Sequence, residues 1–108
     1  MPGPRDPLRP GSGARFFLEL EARGDFDATA RYRGVIFEPA RQTEYRVTMT
    51  IEGEASLTPV DAPTRTGAEL EDMLLMIARL TARGAHKRRQ DAMPPWPERV
   101  LRWRGPGR

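Results

Sequence analysis

Alternating apolar and polar residues predict three β-strands in the first half of the chain. In the segment 14–23 and at 25–33, apolar side chains occupy the even positions and polar or charged side chains occupy most of the odd ones. The second segment extends to residue 39, but from Gly34 the residues 35–37 are apolar on both faces, which indicates a bulge near Gly34 or burial of both faces there. In the segment 43–57 the apolar side chains occupy odd positions instead. A period of two places apolar side chains on one face of a strand, so each segment is expected to be a half-buried strand. Gly53 inside the third segment is expected to bend it.

The same alternation restricts how the strands are joined. Opposite residues of an antiparallel pair share a face, so the first two strands require a loop with an odd number of residues. A three-residue loop at 23–25 satisfies this, and so does a five-residue loop, which places Glu19 opposite Arg31. The third strand has its apolar residues at odd positions, so the loop that joins it to the second strand must have an even number of residues. Residues 39–42 or a slightly longer loop satisfy this. The sequence therefore predicts a three-stranded antiparallel meander with one apolar face.

The segment 66–84 has the 3.6-residue period of a helix that can cover this face. Thr66 and Glu69 have the spacing of a capping box at the helix start, and Gly84 is a plausible stop. The apolar stripe has the spacing i, i+3, i+4, i+7 and i+10. Its members are Leu70, Met73, Leu74, Ile77 and Leu80. The fold class expected is therefore α+β, with one helix packed on the apolar face of the meander.

A C-terminal extended segment is expected to add to this core. Three strands and one helix bury little apolar surface compared with the entropic cost of ordering their backbone. The stretch RVLRWR, residues 99–104, is the last apolar piece of the chain. Its alternation puts Leu101 and Trp103 on one face and Val100 on the other. We expect a fourth strand of the same sheet, or an arm that packs on another chain.

Composition divides the chain into three parts. The stretch MPGPRDPLRPGSG holds four prolines and three glycines with almost nothing to bury, so residues 1–14 are expected to be a disordered N-terminal arm. Residues 15–84 form the expected α+β domain, and residues 85–108 form a basic arm rich in Trp, Pro and Arg. With 108 residues in total, the chain has room for one domain.

Charge is unevenly distributed between these parts. The formal net charge is +3, but residues 79–108 hold nine basic and two acidic residues, whereas residues 1–78 hold nine basic and thirteen acidic ones. An acidic body with a basic end indicates an acidic partner, or association of unlike surfaces of two copies.

Candidate chemistry is sparse. The chain has no cysteine, and His86 is its single histidine, so we expect no metal site and no triad based on these residues. The carboxylate pairs Glu19 with Glu21, Asp25 with Asp27, Glu52 with Glu54, and Glu69 with Asp72 all have ordinary explanations on polar strand faces, turns or a helix start. We therefore expect a protein that is not an enzyme and binds no cofactor. With no apolar stretch of membrane-spanning length and no signal-peptide core, we also expect it to be cytoplasmic and not bound to a membrane.

The basic C-terminal arm has three interpretations. It can close the core with Trp96 and Trp103, or it can dock on a protein partner or a second copy. Tryptophan and arginine are enriched among interface anchors, and an extended strand can add to an open sheet edge. The expected partner contacts are Trp96, Arg99, Leu101, Arg102 and Trp103.

The third interpretation is binding of RNA or single-stranded DNA. Arginine side chains pair with phosphates and aromatic rings stack on bases. The expected phosphate contacts are Arg83, Lys87, Arg88, Arg89, Arg102 and Arg104. We expect a non-catalytic interaction module, a small adaptor or assembly subunit, with nucleic-acid binding as the alternative.

Overall fold

An antiparallel sheet of five strands and one long helix make up the fold of this chain, in a computed structural model that describes residues 12–61 and 67–105. The strands are β1 (Ala14–Arg23), β2 (Thr29–Phe37), β3 (Gln42–Thr50), β4 (Ala55–Pro59) and β5 (Arg99–Arg104), and the helix is α1 (Ala68–Gln90). The strand order is β4-β3-β2-β1-β5. The α+β class is confirmed. Most of the expected N-terminal arm, residues 1–11, lies outside the described residues, and so does Thr66. The predicted cap at Thr66 is wrong, because the residue that caps the start of α1 is Gly67.

The β1–β2 hairpin confirms the shared face of the two strands, although both predicted loops are wrong. Leu18 lies opposite Gly34 and Leu20 opposite Tyr32, so even positions meet even positions. A bulge between Leu20 and Ala22 then shifts the register by one residue. Because the bulge inserts one extra residue, the two strands can be joined by a turn of six residues. Without a bulge, two strands with apolar residues at even positions would need a turn with an odd number of residues.

The bulge also changes the cross-strand ion pair that the five-residue loop predicted. Glu19 lies opposite Arg33 rather than Arg31. Arg31 instead approaches Glu21, with 3.7 Å between Arg31 Nε and Glu21 Oε1.

The connection from β2 to β3 has the predicted even parity, since Phe37 pairs with Gln42 across a four-residue loop. The predicted third strand, however, is two strands. Met49 pairs with Ala55 around a five-residue turn that contains Gly53 in the left-handed conformation, with φ of 98°. Because the turn has an odd number of residues, Ala55 lies on the same face of the sheet as Met49. The alternation of apolar and polar residues therefore continues unbroken although the chain reverses its direction.

Helix α1 packs its apolar stripe on the face of the sheet that carries Phe16, Leu18 and Tyr32. Leu74 and Ile77 are buried as predicted, but Leu80 is 56% exposed. The buried stripe continues instead through small side chains, which are Ala78, Thr81, Ala82 and Ala85. Gly84 does not end the helix, which continues to Gln90, so the boundary expected after residue 84 falls inside α1.

Strand β5 joins the sheet beside β1, which is the first of the two arrangements expected for residues 99–104. Val100 lies opposite Leu18, a core residue, and is therefore itself buried. Leu101 and Trp103 consequently point to the opposite face of the sheet, where they are 44% and 58% exposed. In the interpretation in which Trp96 and Trp103 close the core, the part given to Trp103 is therefore wrong, because the register with β1 gives the buried position to Val100.

Candidate functional site on the C-terminal strand

Trp96 fixes the start of the path from α1 to β5. Its side chain is 1% exposed, and its indole N–H donates to the Asp27 carbonyl at 3.0 Å. Its ring packs edge-on against Tyr32, with 6.4 Å between centroids and 65° between planes. Trp96, predicted as a partner contact, is therefore a core residue, because its own chain covers the ring and satisfies its donor.

Tyr32 secures the next residue of this path. Its hydroxyl donates to the Pro97 carbonyl at 2.6 Å, which ties the centre of β2 to the residue two positions before β5. Burial raises the pKa of Tyr32 well above its ordinary value, and the positive charges of Arg88 and Arg23 oppose this only in part. The tyrosine is thus a neutral donor, and together with Trp96 it holds the approach to β5 in place.

The hydrogen-bond pattern of β1 with β5 determines which backbone groups of β5 point away from the sheet. The Leu20 amide donates to the Glu98 carbonyl at 2.9 Å, and the register continues with Leu18 opposite Val100. Bonded and non-bonded pairs alternate along an antiparallel ladder. Val100 and Arg102 therefore direct their backbone groups towards β1. The backbone groups of the intervening residues point to the outer edge, and these residues are Arg99, Leu101 and Trp103.

The same three residues present exposed side chains on the face opposite to α1, and we call them the edge surface. Leu101 lies opposite the half-buried Phe17 of β1, which extends the apolar area inwards across the sheet. Trp103 leans over Gly105, since a Cβ built at residue 105 would lie 3.1 Å from its ring. The edge surface thus combines two large apolar side chains with the backbone groups of an edge strand.

Arg102 partly covers this edge. Its guanidinium donates to the Leu101 carbonyl at 2.8 Å, so the outward carbonyl at the centre of β5 has a partner in the single chain. Its side chain belongs to the other face of the sheet, where it lines a groove of about 260 Å³ between α1 and β5. Arg88 also lines this groove, whose lining includes Ile77 and Val100. Arg99 and Leu101 line it as well, because they lie at the outer edge of the sheet where its two faces meet.

The six predicted phosphate contacts do not form one surface. Arg83 and Arg89 line a cleft beside the β3–β4 turn, whereas Arg88 and Arg102 line the groove next to β5. Lys87 pairs with Asp91, with 3.1 Å between Lys87 Nζ and Asp91 Oδ2. Arg104 pairs with Glu69 near the start of α1. The structure thus divides these cations between separate sides and neutralises two of them.

The candidate acid–base groups are placed as follows. Glu19 and Glu21 line a cleft of about 470 Å³ together with Glu98, and Arg23 and Arg99 line the same cleft. His86 lies near Gln90, with 3.2 Å between the two side-chain nitrogens. Within 12–61 and 67–105, no three His, Asp or Glu side chains are grouped as metal ligands. No helix of these ranges has the length and hydropathy needed to cross a membrane.

Three of the five residues predicted as partner contacts form the edge surface, and their role stays a prediction. The sequence did not show the hydrogen bond of Arg102 to the Leu101 carbonyl, or the face that Leu101 takes. The face on which Leu101 lies depends on which residue of β1 is opposite it. The alternation within RVLRWR is compatible with either face. Comparison with known proteins finds no matching family model, no similar curated protein and no similar solved structure.

Proposed function

We propose that this protein is a non-catalytic interaction module that contacts a protein partner through the edge surface of β5. The observation that carries the proposal is that the outward backbone groups of β5 belong to Arg99, Leu101 and Trp103, whose side chains are also exposed. An edge strand of this kind pairs readily with an added strand, and its side chains supply specificity.

The chemistry of the edge surface supports a protein partner. Trp103 offers a large rigid contact area, and Arg99, four residues away on the same face, can stack on an aromatic ring or pair with a carboxylate. The partner contacts that we propose are Arg99, Leu101, Arg102 and Trp103. Trp96 is left out because it is buried, and its contribution is to hold the chain that leads into β5.

Site-specific photo-crosslinking tests this proposal. A photoreactive phenylalanine analogue replaces Trp103 in the full chain, or replaces Phe26, which is 89% exposed in the turn before β2 and serves as the matched control. After irradiation in the producing cell, we expect one discrete adduct from position 103 and no corresponding adduct from position 26. Leu101→Lys in the position 103 protein should remove the adduct, because it places a charge where an apolar contact forms.

The adduct must be reproduced with the purified components before it counts as support. The proposal is wrong if position 103 gives no adduct, if both positions give the same adducts, or if Leu101→Lys leaves the adduct unchanged. The mass of the adduct identifies the partner, and an adduct of twice the 12.2 kDa chain indicates a second copy.

A further inference from the structure

We infer that the strand added to β5 is β5 of a second copy, antiparallel and centred on Leu101, so that the two sheets form one continuous sheet. The inference rests on the proposed function and names its partner. Homodimers with a twofold axis are the commonest oligomers, and a twofold axis makes two identical edge strands antiparallel. The register of this pair can be worked out from the residues of β5.

The outward backbone groups first restrict the register. Arg99, Leu101 and Trp103 must pair with one another across the axis, because only odd-numbered residues of β5 direct backbone groups outwards. Centring the pair on Leu101 places Leu101 opposite Leu101 of the second copy, and Arg99 opposite Trp103 of the second copy. All three outward residues of each strand are then hydrogen-bonded.

The side chains favour the same register. On the open face, the guanidinium of Arg99 can lie over the indole of Trp103 of the second copy, which is a favourable cation–π geometry. On the other face, Glu98 lies opposite Arg104 of the second copy, and Val100 lies opposite Arg102. No two like charges are directly opposed, and the Glu98–Arg104 pair is of opposite sign.

The neighbouring registers are less favourable. If the centre of the pair moves to Arg102, Arg102 lies opposite Arg102 of the second copy. If it moves to Trp103, Arg102 lies opposite Arg104 of the second copy. Like charges directly opposite each other destabilise a strand pair. A shift the other way places Trp103 opposite Pro97. Pro97 has no N–H, and its carbonyl already accepts the Tyr32 hydroxyl, so the Trp103 backbone would lose its partner.

Arg102 has a defined part in this association. The Leu101 carbonyl that it covers in the single chain must accept the Leu101 amide of the second copy. The guanidinium therefore competes with the second copy for this carbonyl, and its bond lowers the tendency of the single chain to associate. Arg102→Met keeps the length of the side chain without the donor, so it should strengthen association where Leu101→Lys abolishes it.

Single cysteines test the register, since the full chain contains none. In a hydrogen-bonded antiparallel pair the opposite Cα atoms are about 5.5 Å apart, which a disulfide can span. Leu101→Cys should therefore form a disulfide dimer under mild oxidation. Arg99→Cys alone and Trp103→Cys alone should not, because identical residues there are four positions out of register, or about 13 Å along the strand.

A mixture of the Arg99→Cys and Trp103→Cys proteins should form a mixed disulfide dimer. A mass tag on one of the two proteins distinguishes this mixed dimer from the two homodimers. The inference is overturned if Arg99→Cys or Trp103→Cys alone oxidises as readily as Leu101→Cys, or if the wild-type chain sediments as a monomer at every concentration. If the adduct from position 103 has a mass other than that of two copies of the chain, the partner is not a second copy. That result would overturn this inference but not the proposed function.

Discussion

The two tryptophans of the C-terminal segment have opposite roles at the scale of single residues. Trp96 is 1% exposed and hydrogen-bonded, whereas Trp103 is 58% exposed. We expect Trp96→Ala to lower the free energy of unfolding by about 3–5 kcal/mol, because it leaves a large cavity and an unpaired Asp27 carbonyl. Trp103→Ala should change it by about 0.5 kcal/mol at most in the monomer. Urea unfolding of dilute protein measures both, and equal losses would contradict the assignment.

Tyr32 gives the fold a dependence on alkaline pH. Its pKa is raised in the folded state, mainly by burial, so the folded chain favours the neutral phenol. The stability that this contributes is complete below the ordinary pKa of tyrosine, about 10, and is lost as the pH rises from there through the raised folded pKa.

We therefore expect the wild type to lose more stability than Tyr32→Phe between roughly pH 9 and pH 11, because the variant has no phenol at this position to ionise. At neutral pH the variant should be less stable by about 1–3 kcal/mol, since the Pro97 carbonyl loses its donor. Urea unfolding across this pH range measures both effects, and identical pH profiles for the two proteins would show that the phenol does not titrate with unfolding.

At the scale of elements, Gly84 and Gly34 respond differently to an added methyl group. Gly84 lies inside α1, and its added Cβ would meet only the flexible end of Arg88 at 3.5 Å. Gly84→Ala should therefore stabilise the protein by about 0.5–1 kcal/mol. At Gly34 the added Cβ would lie 2.8 Å from a Val47 methyl group in the core, so Gly34→Ala should destabilise it by about 1–3 kcal/mol. Thermal unfolding compares the two, and a destabilising Gly84→Ala would mean that α1 does end near residue 84.

The elements also show how far sequence alone determines this fold. Hydrophobic period predicted the strands and the helix, because each has a face that must be buried. It could not show the chain reversal between β3 and β4, since a turn with an odd number of residues leaves Met49 and Ala55 on the same face. It extended the helix stripe to Leu80 because large apolar residues dominate the pattern, whereas the buried positions after Ile77 carry small side chains such as Ala78 and Ala82.

The candidate site was predictable as a segment but not as a surface. The choice between Val100 and Leu101 for the core depends on the residue of β1 that lies opposite, and two alternating strands allow either register. The hydrogen bond from Arg102 to the Leu101 carbonyl follows only once that edge is known to be free in the described sheet.

At the scale of the whole molecule, salt separates the two functions that the basic arm allows. Glu98, Arg99, Arg102 and Arg104 give β5 and its preceding residue a net charge of +2, so two copies bring like charges together. Screening should therefore strengthen self-association as the ionic strength rises. Nucleic-acid binding has the opposite dependence, with a log–log slope near −0.7 for each phosphate neutralised on a single strand.

Sedimentation velocity between roughly 50 and 200 mM salt measures the first effect, and fluorescence anisotropy with a random single-stranded oligonucleotide measures the second. We expect a larger dimer fraction at the higher salt concentration, and weak oligonucleotide binding because the cations lie on separate sides of the molecule. Tight binding of the oligonucleotide at low salt, together with dimers that dissociate as salt is added, would favour the nucleic-acid alternative.

In the described sheet β5 is an edge strand, and amide hydrogen exchange at single-residue resolution shows whether a second copy pairs with it. In dilute protein, the amides of Val100 and Arg102 should exchange slowly because they bond to β1, whereas the Leu101 amide should exchange quickly. At high protein concentration we expect the Leu101 amide to become protected, while the Phe26 amide in its exposed turn keeps its exchange rate. Protection of Leu101 that is already complete in the dilute monomer, or that never changes with concentration, would show that β5 does not pair with a second copy.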